Sequence, residues 1–392
     1  MRTDTKNGFF PLLADLQTAL DEIDNTWQPD DEAYHADVYR QTMMSLSYSY
    51  FAYFHATPEH PDWAPLWNPV FTLQPNPDDI YLYSPISGKY CYRVSGKRGT
   101  VKILSFTTQR HMSGMIDDIS QIGGHNEIDD SDFSVDEFGN IDILFSVEKP
   151  SGYAGDWAPI DPGATGMMVR LRSYDWLNEI DPKLAITCLD PVGPKARLTP
   201  SEIRDRIKEM AKFPGRKTKS YYRLQNGVKD RVGFNVFEPI RMQGALAKQV
   251  YWPACFQLND DEALIIETEL PQKRPYWNIQ LNDPYFNALE YVYRNSSING
   301  HTAVVSEGGK FRAVISLTDP GVPNWLDPAG YNEGGIYGRW FDCDSNPTPI
   351  IKRVPLIELR QHLPTTTPVI WPEQRAEELQ LRVQACQMRK RW

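Results

Sequence analysis

Only five of the 392 residues are cysteine (Cys91, Cys188, Cys255, Cys343 and Cys386), an odd, scattered set with no Cys-x-x-Cys pair. Such spacing argues against a disulfide framework and a zinc clip, implies a reducing compartment, and leaves each thiol as a small buried hydrophobe. No apolar run approaches the roughly 20 residues of a membrane span, and the opening stretch Met1-Arg-Thr-Asp-Thr-Lys-Asn-Gly8 has no apolar signal core. A soluble, cytoplasmic protein with no membrane partner is therefore expected. Positive charge is in deficit: the formal net charge is -10, spread without long blocks. Nucleic acid and anionic lipid both need a basic surface, so neither is expected as a partner. There is no Gly-x-x-x-x-Gly-Lys-Ser/Thr loop, no Gly-x-Ser-x-Gly elbow and no strand-linked Gly-x-Gly-x-x-Gly, which removes the usual warrants for nucleotide cofactors and serine-hydrolase chemistry. His55 and His60 flank Glu59, but Pro58 and Pro61 break the helix that a His-Glu-x-x-His zinc site needs. Asp117, Asp118, Asp129 and Asp130 are too sparse for a calcium loop. No metal and no cofactor is expected.

Proline, glycine and aromatic residues are plentiful, with 31 prolines, 25 glycines and 12% aromatics beside 41% apolar residues. That balance suits a turn-rich β protein with buried cores. The chain also nearly repeats itself once, at an offset of about 170 residues. Gly139-Asn-Ile-Asp-Ile-Leu-Phe-Ser-Val-Glu-Lys-Pro150 aligns without a gap on Gly309-Lys-Phe-Arg-Ala-Val-Ile-Ser-Leu-Thr-Asp-Pro320. Asp156-Trp157 then falls on Asn324-Trp325, Ile160-Asp-Pro162 on Leu326-Asp-Pro328, and Arg172 on Arg339. The period is too long for a solenoid and indicates two related β domains.

Leu12, Leu13, Leu16, Ala19, Leu20 and Ile23 recur at helical spacing, and a second helix is expected over 31–55, where Tyr48-Ser-Tyr-Phe-Ala-Tyr-Phe-His55 is aromatic on every side and must be packed. Strands are expected over 80–84, 90–95, 100–107, 141–147 and 167–174, then over 263–269, 276–281, 303–305, 311–317 and 336–341. The acid- and glycine-rich excursion between Arg110 and Asp136 reads as a solvated loop or a lid. Thr199, Pro200 and Glu202 form a helix start, with the helix running to about Phe213. A charged amphipathic segment beyond Pro372 reads as a surface helix, solvated or packed on a partner subunit. The expected fold is mainly β: two related jelly-roll-like β-sandwich domains with N-terminal helices, a linking helix and a C-terminal helix. The boundaries are 1–75 (helices and a Pro/Trp-rich connection), 76–197 (first sandwich), 198–250 (linking helix), 251–363 (second sandwich) and 364–392 (helical tail).

Period-two alternation puts Tyr276, Asn278 and Gln280 on one face and Trp277, Ile279 and Leu281 on the other, so one side is core and the other faces water or a ligand. Arg339 projects with Tyr337 and Phe341, an aromatic escort that desolvates a charge which then wants an anion or a carboxylate. Arg170 and Arg172 share a face in the first copy, so a structural Arg–Asp pair is a competing explanation. The densest polar cluster comprises Arg294, Ser296, Ser297, Asn299 and His301, followed by Asp319, Asn324, Trp325 and Asp327. It holds a general base, an orienting arginine and amide donors. Asn299-Gly300 and Asp319-Pro-Gly321 are equally good turns. The first copy has no counterpart of the Arg294-to-His301 group, which favours function for the private copy.

The strings Tyr276-Trp-Asn-Ile-Gln-Leu281, Tyr293-Arg-Asn-Ser-Ser-Ile-Asn-Gly-His301 and Asp319-Pro-Gly-Val-Pro-Asn-Trp-Leu-Asp327 resemble the bacterial domain-of-unknown-function family 1214. Asn76-Pro-Asp78 and Tyr92-Arg-Val-Ser-Gly96 resemble its long form, with an upstream domain like family 1254. The resemblance covers about residues 76 to 363. It implies β-sandwich domains, no established reaction, and recurrent polar positions at Gln280, Arg294, Asn299, His301, Asp319, Asn324, Asp327 and Arg339. Asp156 stands where that pattern has asparagine.

The resulting expectation is a small-molecule enzyme acting without a metal on a hydrophobic, hydroxylated compound such as a terpenoid, steroid or aromatic. His301 or Asp327 would move the proton, and Arg294 or Arg339 would steady negative charge, in hydrolysis, elimination or isomerisation. Tyr276, Asn278, Gln280, Asn299, Asp319, Asn324, Trp325 and Tyr337 would contact the substrate. The rival readings are a carbohydrate-binding module with a shallow aromatic platform and a self-assembling structural protein with a flat apolar interface. A homo-oligomer is compatible with all three.

Overall fold

Two copies of one strand plan account for most of the chain, in a computed structural model that describes residues 8, 10–24, 32–241 and 246–389. Parts of the expected terminal, second-helix and linking segments (1–7, 9, 25–31, 242–245 and 390–392) lie outside the described residues. In the first half β1 (Ala64–Leu66), β2 (Asp79–Pro85), β3 (Tyr92–Lys97), β4 (Ile103–Gln109), β5 (Gly124–Asp129), β6 (Asn140–Ser146), β7 (Asp156–Pro159), β8 (Gly166–Arg172) and β9 (Lys183–Cys188) form the sheets β1-β2-β8-β4-β5 and β7-β6-β3-β9. In the second, β10 (Gln249–Gln257), β11 (Glu262–Glu269), β12 (Tyr276–Asn282), β13 (Ser297–Asn299), β14 (Lys310–Ile315), β15 (Trp325–Leu326), β16 (Glu333–Phe341) and β17 (Ile350–Pro355) form β10-β16-β12-β13 and β15-β14-β11-β17. The two orders superpose strand for strand, β2 on β10 through β9 on β17, and the parallel pair β6·β7 matches β14·β15. Each half is a β-sandwich closed over its own apolar core, around Phe106, Phe145 and Val169 in the first and Trp252, Trp277 and Trp340 in the second.

The repeated tryptophans are scaffold. The Trp157 indole Nε1 donates to Ser146 Oγ at 2.9 Å and the Trp325 Nε1 to the Ser316 carbonyl at 3.0 Å, and each serine hydroxyl bonds a carbonyl two residues on. The arginine match shifts by one pleat, however. Arg339 lies opposite Tyr251 and Asn278, the place that Arg170 takes opposite Tyr81 and Ser105. Both guanidinium groups sit over the adjacent tyrosine ring, at 6.0 Å for Arg170 and 5.3 Å for Arg339. Arg172 corresponds instead to Phe341, since each closes its strand opposite the residue that opens the neighbour, Ile103 or Tyr276.

Several elements depart from local expectation. The acid-rich excursion is not a free loop: Gly124–Asp129 adds to the edge of β4 with a bulge at Thr108 and Gln109. The expected strand at 303–305 is reduced to a single bridge, Val305 to Phe311. The first sheet starts upstream of residue 76, because β1 pairs with β2. The helices are α1 (Leu16–Asp24), α2 (Glu32–Tyr50), α3 (Pro200–Val232) and α4 (Pro372–Met388). The α3 start is the expected capping box, Thr199 Oγ1 accepting from the Glu202 N–H at 3.3 Å and Glu202 Oε2 from the Thr199 N–H at 2.7 Å. The helix nevertheless runs through Pro214 to Val232. Proline removes one backbone donor, and burial of Phe213 on one side and Lys217 on the other holds the line. No helix among the described residues is long and apolar enough to cross a membrane.

Residues 72–78 run between the halves without regular structure, yet they and Asp79, which opens β2, are all buried. Irregular chain normally lies on the surface, because its backbone and polar side chains need partners. Trp67, Phe71, Leu73 and Gln74 just before and within this segment have φ between 53° and 62°, conformations that β-carbon sterics disfavour. The segment's side chains supply the compensation. The Asn76 Nδ2 donates to the Tyr276 hydroxyl at 2.8 Å, Asn76 Oδ1 accepts from Asn278 Nδ2 at 2.7 Å, and Asp79 takes a two-pronged pair from Arg172 at 2.6 and 2.8 Å. Thr72 Oγ1 accepts from Lys217 Nζ and donates to Asn287 Oδ1 at 3.2 Å.

Lys217 is held by Ser45 Oγ at 2.8 Å and by Thr72, and feels the charge of Asp283, itself beside Arg40. Burial pulls the Lys217 pKa down to about 7, against a smaller upward pull from Asp283. Between that value and the unfolded value of about 10.5 the unfolded chain binds a proton that the folded chain does not, so stability rises with pH, by about 1.4 kcal/mol per unit. Lys217→Met is expected to flatten this rise. Urea midpoints measured at three pH values from 7 to 9 check it, and equal slopes in both proteins would refute it.

Candidate functional site

A cleft of about 430 Å³ opens where the connection after β8, the turn after β13 and helix α4 meet. The turn is built by Asn299, whose Oδ1 accepts from the backbone N–H groups of His301 and Thr302, both at 3.0 Å. Its Nδ2 donates to Asp78 Oδ1 at 2.7 Å and to the Tyr174 carbonyl at 3.0 Å, tying the two halves together under the cleft. Gly300 is required there, since a β-carbon would come within 1.8 Å of the Tyr174 hydroxyl. The turn presents a half-exposed His301, with Nε2 3.7 Å from Asp175 Oδ2. Burial works to raise the Asp175 carboxyl, but the Asn178 side chain, the N–H groups of Asn178 and Leu177, and His301 outweigh it and hold it below the ordinary range.

Asp78 forms the floor, 2% exposed. It accepts from the Tyr276 hydroxyl at 2.6 Å, from Trp176 Nε1 at 2.8 Å and from Asn299. Burial and the adjacent Asp79 raise its pKa, and the three donors offset this only in part. The far wall is α4. Arg382 donates to the Tyr291 carbonyl at 2.6 Å and to Ser297 Oγ at 2.6 Å, and its guanidinium lies 4.8 Å from the Trp176 ring. Arg375 reaches Asp319 Oδ2 at 2.8 Å and the Val322 carbonyl at 2.7 Å. Among the described residues no cluster of three or more His, Cys, Asp or Glu could hold a metal.

His301, Asn299 and Asn324 line this cleft, as does Ser297 of the same polar cluster; the other expected residues do not. Asn324, at φ 56°, is a structural clasp: its Oδ1 accepts from the Val304 N–H at 2.9 Å and its Nδ2 donates to the Val304 and Arg312 carbonyls at 2.7 Å each. Arg294 and Asp327 pair with each other at 2.8 Å, and Asp327 Oδ1 also accepts from the Ala329 N–H. Asp319 anchors α4, and Trp325 is engaged by Ser316. Tyr276, Asn278, Gln280 and Arg339 form the buried face between the halves, where Arg339 Nη1 donates to Asn278 Oδ1 at 3.2 Å and Gln280 Oε1 at 2.8 Å. The polar side of β12 thus meets the polar segment 72–79 rather than water. Tyr337 is buried on the same face, its ring edge-on to Phe286 at 5.1 Å.

Asp78, Asp175, Trp176, Arg375 and Arg382 are cleft residues that sequence reasoning passed over. Arg375 and Arg382, seven residues apart, share one face of α4, and Arg389, seven further on, follows directly after its end. All three turn inward, Arg389 donating to the Asp78 and Leu171 carbonyls at 3.1 Å each. Basic residues so spaced were the available signal.

No family model matches the chain, and no curated protein matches it in sequence. The solved structure of an uncharacterised protein from Burkholderia cenocepacia is similar over 88% of this chain and 96% of that one, with 25% identity and a TM-score of 0.82. A protein from Vibrio parahaemolyticus aligns over 87% of this chain and 100% of that one, with 12% identity and a TM-score of 0.47, a likeness that carries no argument.

Arg375→Ala is expected to loosen α4 by about 2 kcal/mol, since it removes charge-assisted bonds from a nearly buried guanidinium. Amide exchange along α4 would then accelerate roughly 30-fold, while exchange in β12 stays unchanged. Protection of α4 at the wild-type level would show that the Asp319 anchor is dispensable.

Proposed function

We propose that the cleft binds a largely apolar, hydroxylated small molecule, such as a terpenoid, steroid or aromatic compound, and acts on it by metal-independent acid–base chemistry. The observation that carries this reading is the convergence of Leu177, Val304, Ile370 and Leu379 with a His–Asp pair in one cleft. Apolar walls supply burial energy and a few polar groups set orientation. His301 presents Nε2 to Asp175, which orients the ring, while Nδ1 meets no partner among the described residues and is the atom placed to take a proton. Arg382 supplies a fixed positive charge on the opposite wall for an oxygen that gains negative charge. Asp327, Arg294 and Arg339 have no part in this version of the site. Elimination, isomerisation and hydrolysis all fit such a set. The string from Asp319 to Asp327 supports a further proposal, membership of family 1214.

A carbohydrate-binding surface would need exposed rings lying flat toward solvent. At the cleft Trp176 is instead stacked on Arg382 and hydrogen-bonded to Asp78, which favours an enclosed small molecule over a glycan chain.

Compounds retained by the purified protein, identified by mass spectrometry, test the reading. Leu379→Trp is expected to lose the bound compound by filling the cleft. His301→Gln is expected to keep it while slowing its turnover by roughly 100-fold or more. Equal retention by wild type and Leu379→Trp would place the ligand elsewhere, and unchanged turnover in His301→Gln would remove the acid–base role.

A further inference from the structure

Arg339 is a buried arginine in the contact between the two halves with no carboxylate hydrogen-bonded to it among the described residues. Its side chain is 2% exposed, and the two acceptors it has, Asn278 Oδ1 and Gln280 Oε1, are neutral amide oxygens that both bind Nη1. Nε and Nη2 meet no acceptor among the described residues. These two nitrogens form the edge of a guanidinium that matches the two oxygens of a carboxylate. The protein uses that edge repeatedly. Arg98 grips Asp130 through Nε and Nη2 at 2.9 and 2.8 Å, Arg110 grips Asp161 at 3.1 and 3.2 Å, and Arg216 grips Asp117 at 3.0 Å through both.

The sharpest comparison is with Arg172, in the same inter-sandwich layer. Arg172 donates Nη1 to an amide oxygen, Gln249 Oε1, at 2.9 Å, and Nε and Nη2 to Asp79 at 2.6 and 2.8 Å. Arg339 repeats the amide half of that arrangement without the acid. Asp79 is held by Arg172 through both oxygens and acts on Arg339 only through space, with no hydrogen bond between them. A buried guanidinium with donors that meet no acceptor is costly, and the cost is relieved by a bound anion. Two neighbours suit an organic acid rather than a bare ion. The Tyr251 ring lies 5.3 Å from the guanidinium and is half-buried, which marks where this interior approaches solvent. Tyr337, two residues along the same strand face, has a buried hydroxyl with no partner.

The geometry points to a carboxylate-binding position on the Nε and Nη2 edge of Arg339, between the two sandwiches and separate from the cleft of His301. The ligand class is a small monocarboxylic acid, held in the two-pronged manner that Asp79 adopts on Arg172.

Titration with sodium acetate, against sodium chloride and sodium phosphate at matched ionic strength, tests it on the full chain. Acetate is expected to raise the thermal midpoint saturably above the chloride control, and line broadening of carbon-13 acetate is expected to reverse on addition of unlabelled acetate. Arg339→Lys keeps the charge but not the fork and is expected to weaken acetate at least tenfold; Arg339→Met is expected to abolish the effect. Equal midpoints in acetate and chloride, a response to phosphate alone, or an undiminished acetate response in Arg339→Lys would each overturn the assignment. If neither variant folds, the wild-type comparison of acetate with chloride and phosphate decides the matter alone.

Discussion

The buried segment from Thr72 to Asp79, irregular until Asp79 opens β2, governs this structure, because its polar groups have no water to fall back on. Apart from the Gln74 amide nitrogen they find protein partners, which come from every part of the chain: Lys217 on α3, Arg172 on β8, Tyr276 and Asn278 on β12, Asn299 on the β13 turn. Removing one partner leaves the other desolvated and unsatisfied, which costs more than the bond contributes. The two sandwiches, each with its own apolar core, are therefore joined by hydrogen bonds such as that of Arg172 to Gln249, together with a small apolar cluster of Ile103, Leu246, Tyr276 and Phe341. Such a joint is intolerant of misfit and so fixes the relative placement of the halves.

That placement creates the cleft. Asp78, next to last in the segment, lies directly beneath it, and the same carboxylate collects Trp176 from the first half and Tyr276 and Asn299 from the second. The two sandwiches are similar, but the additions differ: the first carries the edge strand β1 and the Asp175 loop, the second carries the Asn299 turn and the α4 wall. Chemistry is thus proposed where features private to each copy meet, and the surfaces common to both copies serve to join them. A hydrogen-bonded chain from Asp78 through Tyr276, Asn76 and Asn278 to Arg339 links the cleft floor with the interior arginine.

Much of the fold is legible in local pattern. The aligned runs at β6 and β14 and their tryptophan corners identify the duplication, and Thr199 with Glu202 marks the start of α3 because a capping box is a property of four neighbouring residues. What is not legible is set at long range. Alternation separates Asn278 and Gln280 from Ile279, but it cannot say whether the polar face meets water or another polar segment; here it meets residues 72–79, some 200 positions away in sequence. Pro214 looks like a helix end because its missing donor is a local fact, whereas the packing that carries the helix past it is not. Gly123 and Gly124 with their acidic neighbours look like loop, and become strand β5 only because β4 offers an open edge. In the candidate site, His301 and Asn299 emerge from composition alone, while Asp175, Trp176 and Arg382 come from other parts of the chain and acquire meaning only from the packing.

The central claim is that segment 72–79 couples the two sandwiches into one cooperative unit. Differential scanning calorimetry of the wild type and Asn76→Ala tests it most directly, since the substitution removes the side-chain bonds to Tyr276 and Asn278 without touching either apolar core. The wild type should melt in a single transition, and Asn76→Ala should lose about 3 kcal/mol and separate into two transitions, one per sandwich. A wild type that already melts in two independent steps, or an Asn76→Ala profile that overlays the wild type, would contradict the account.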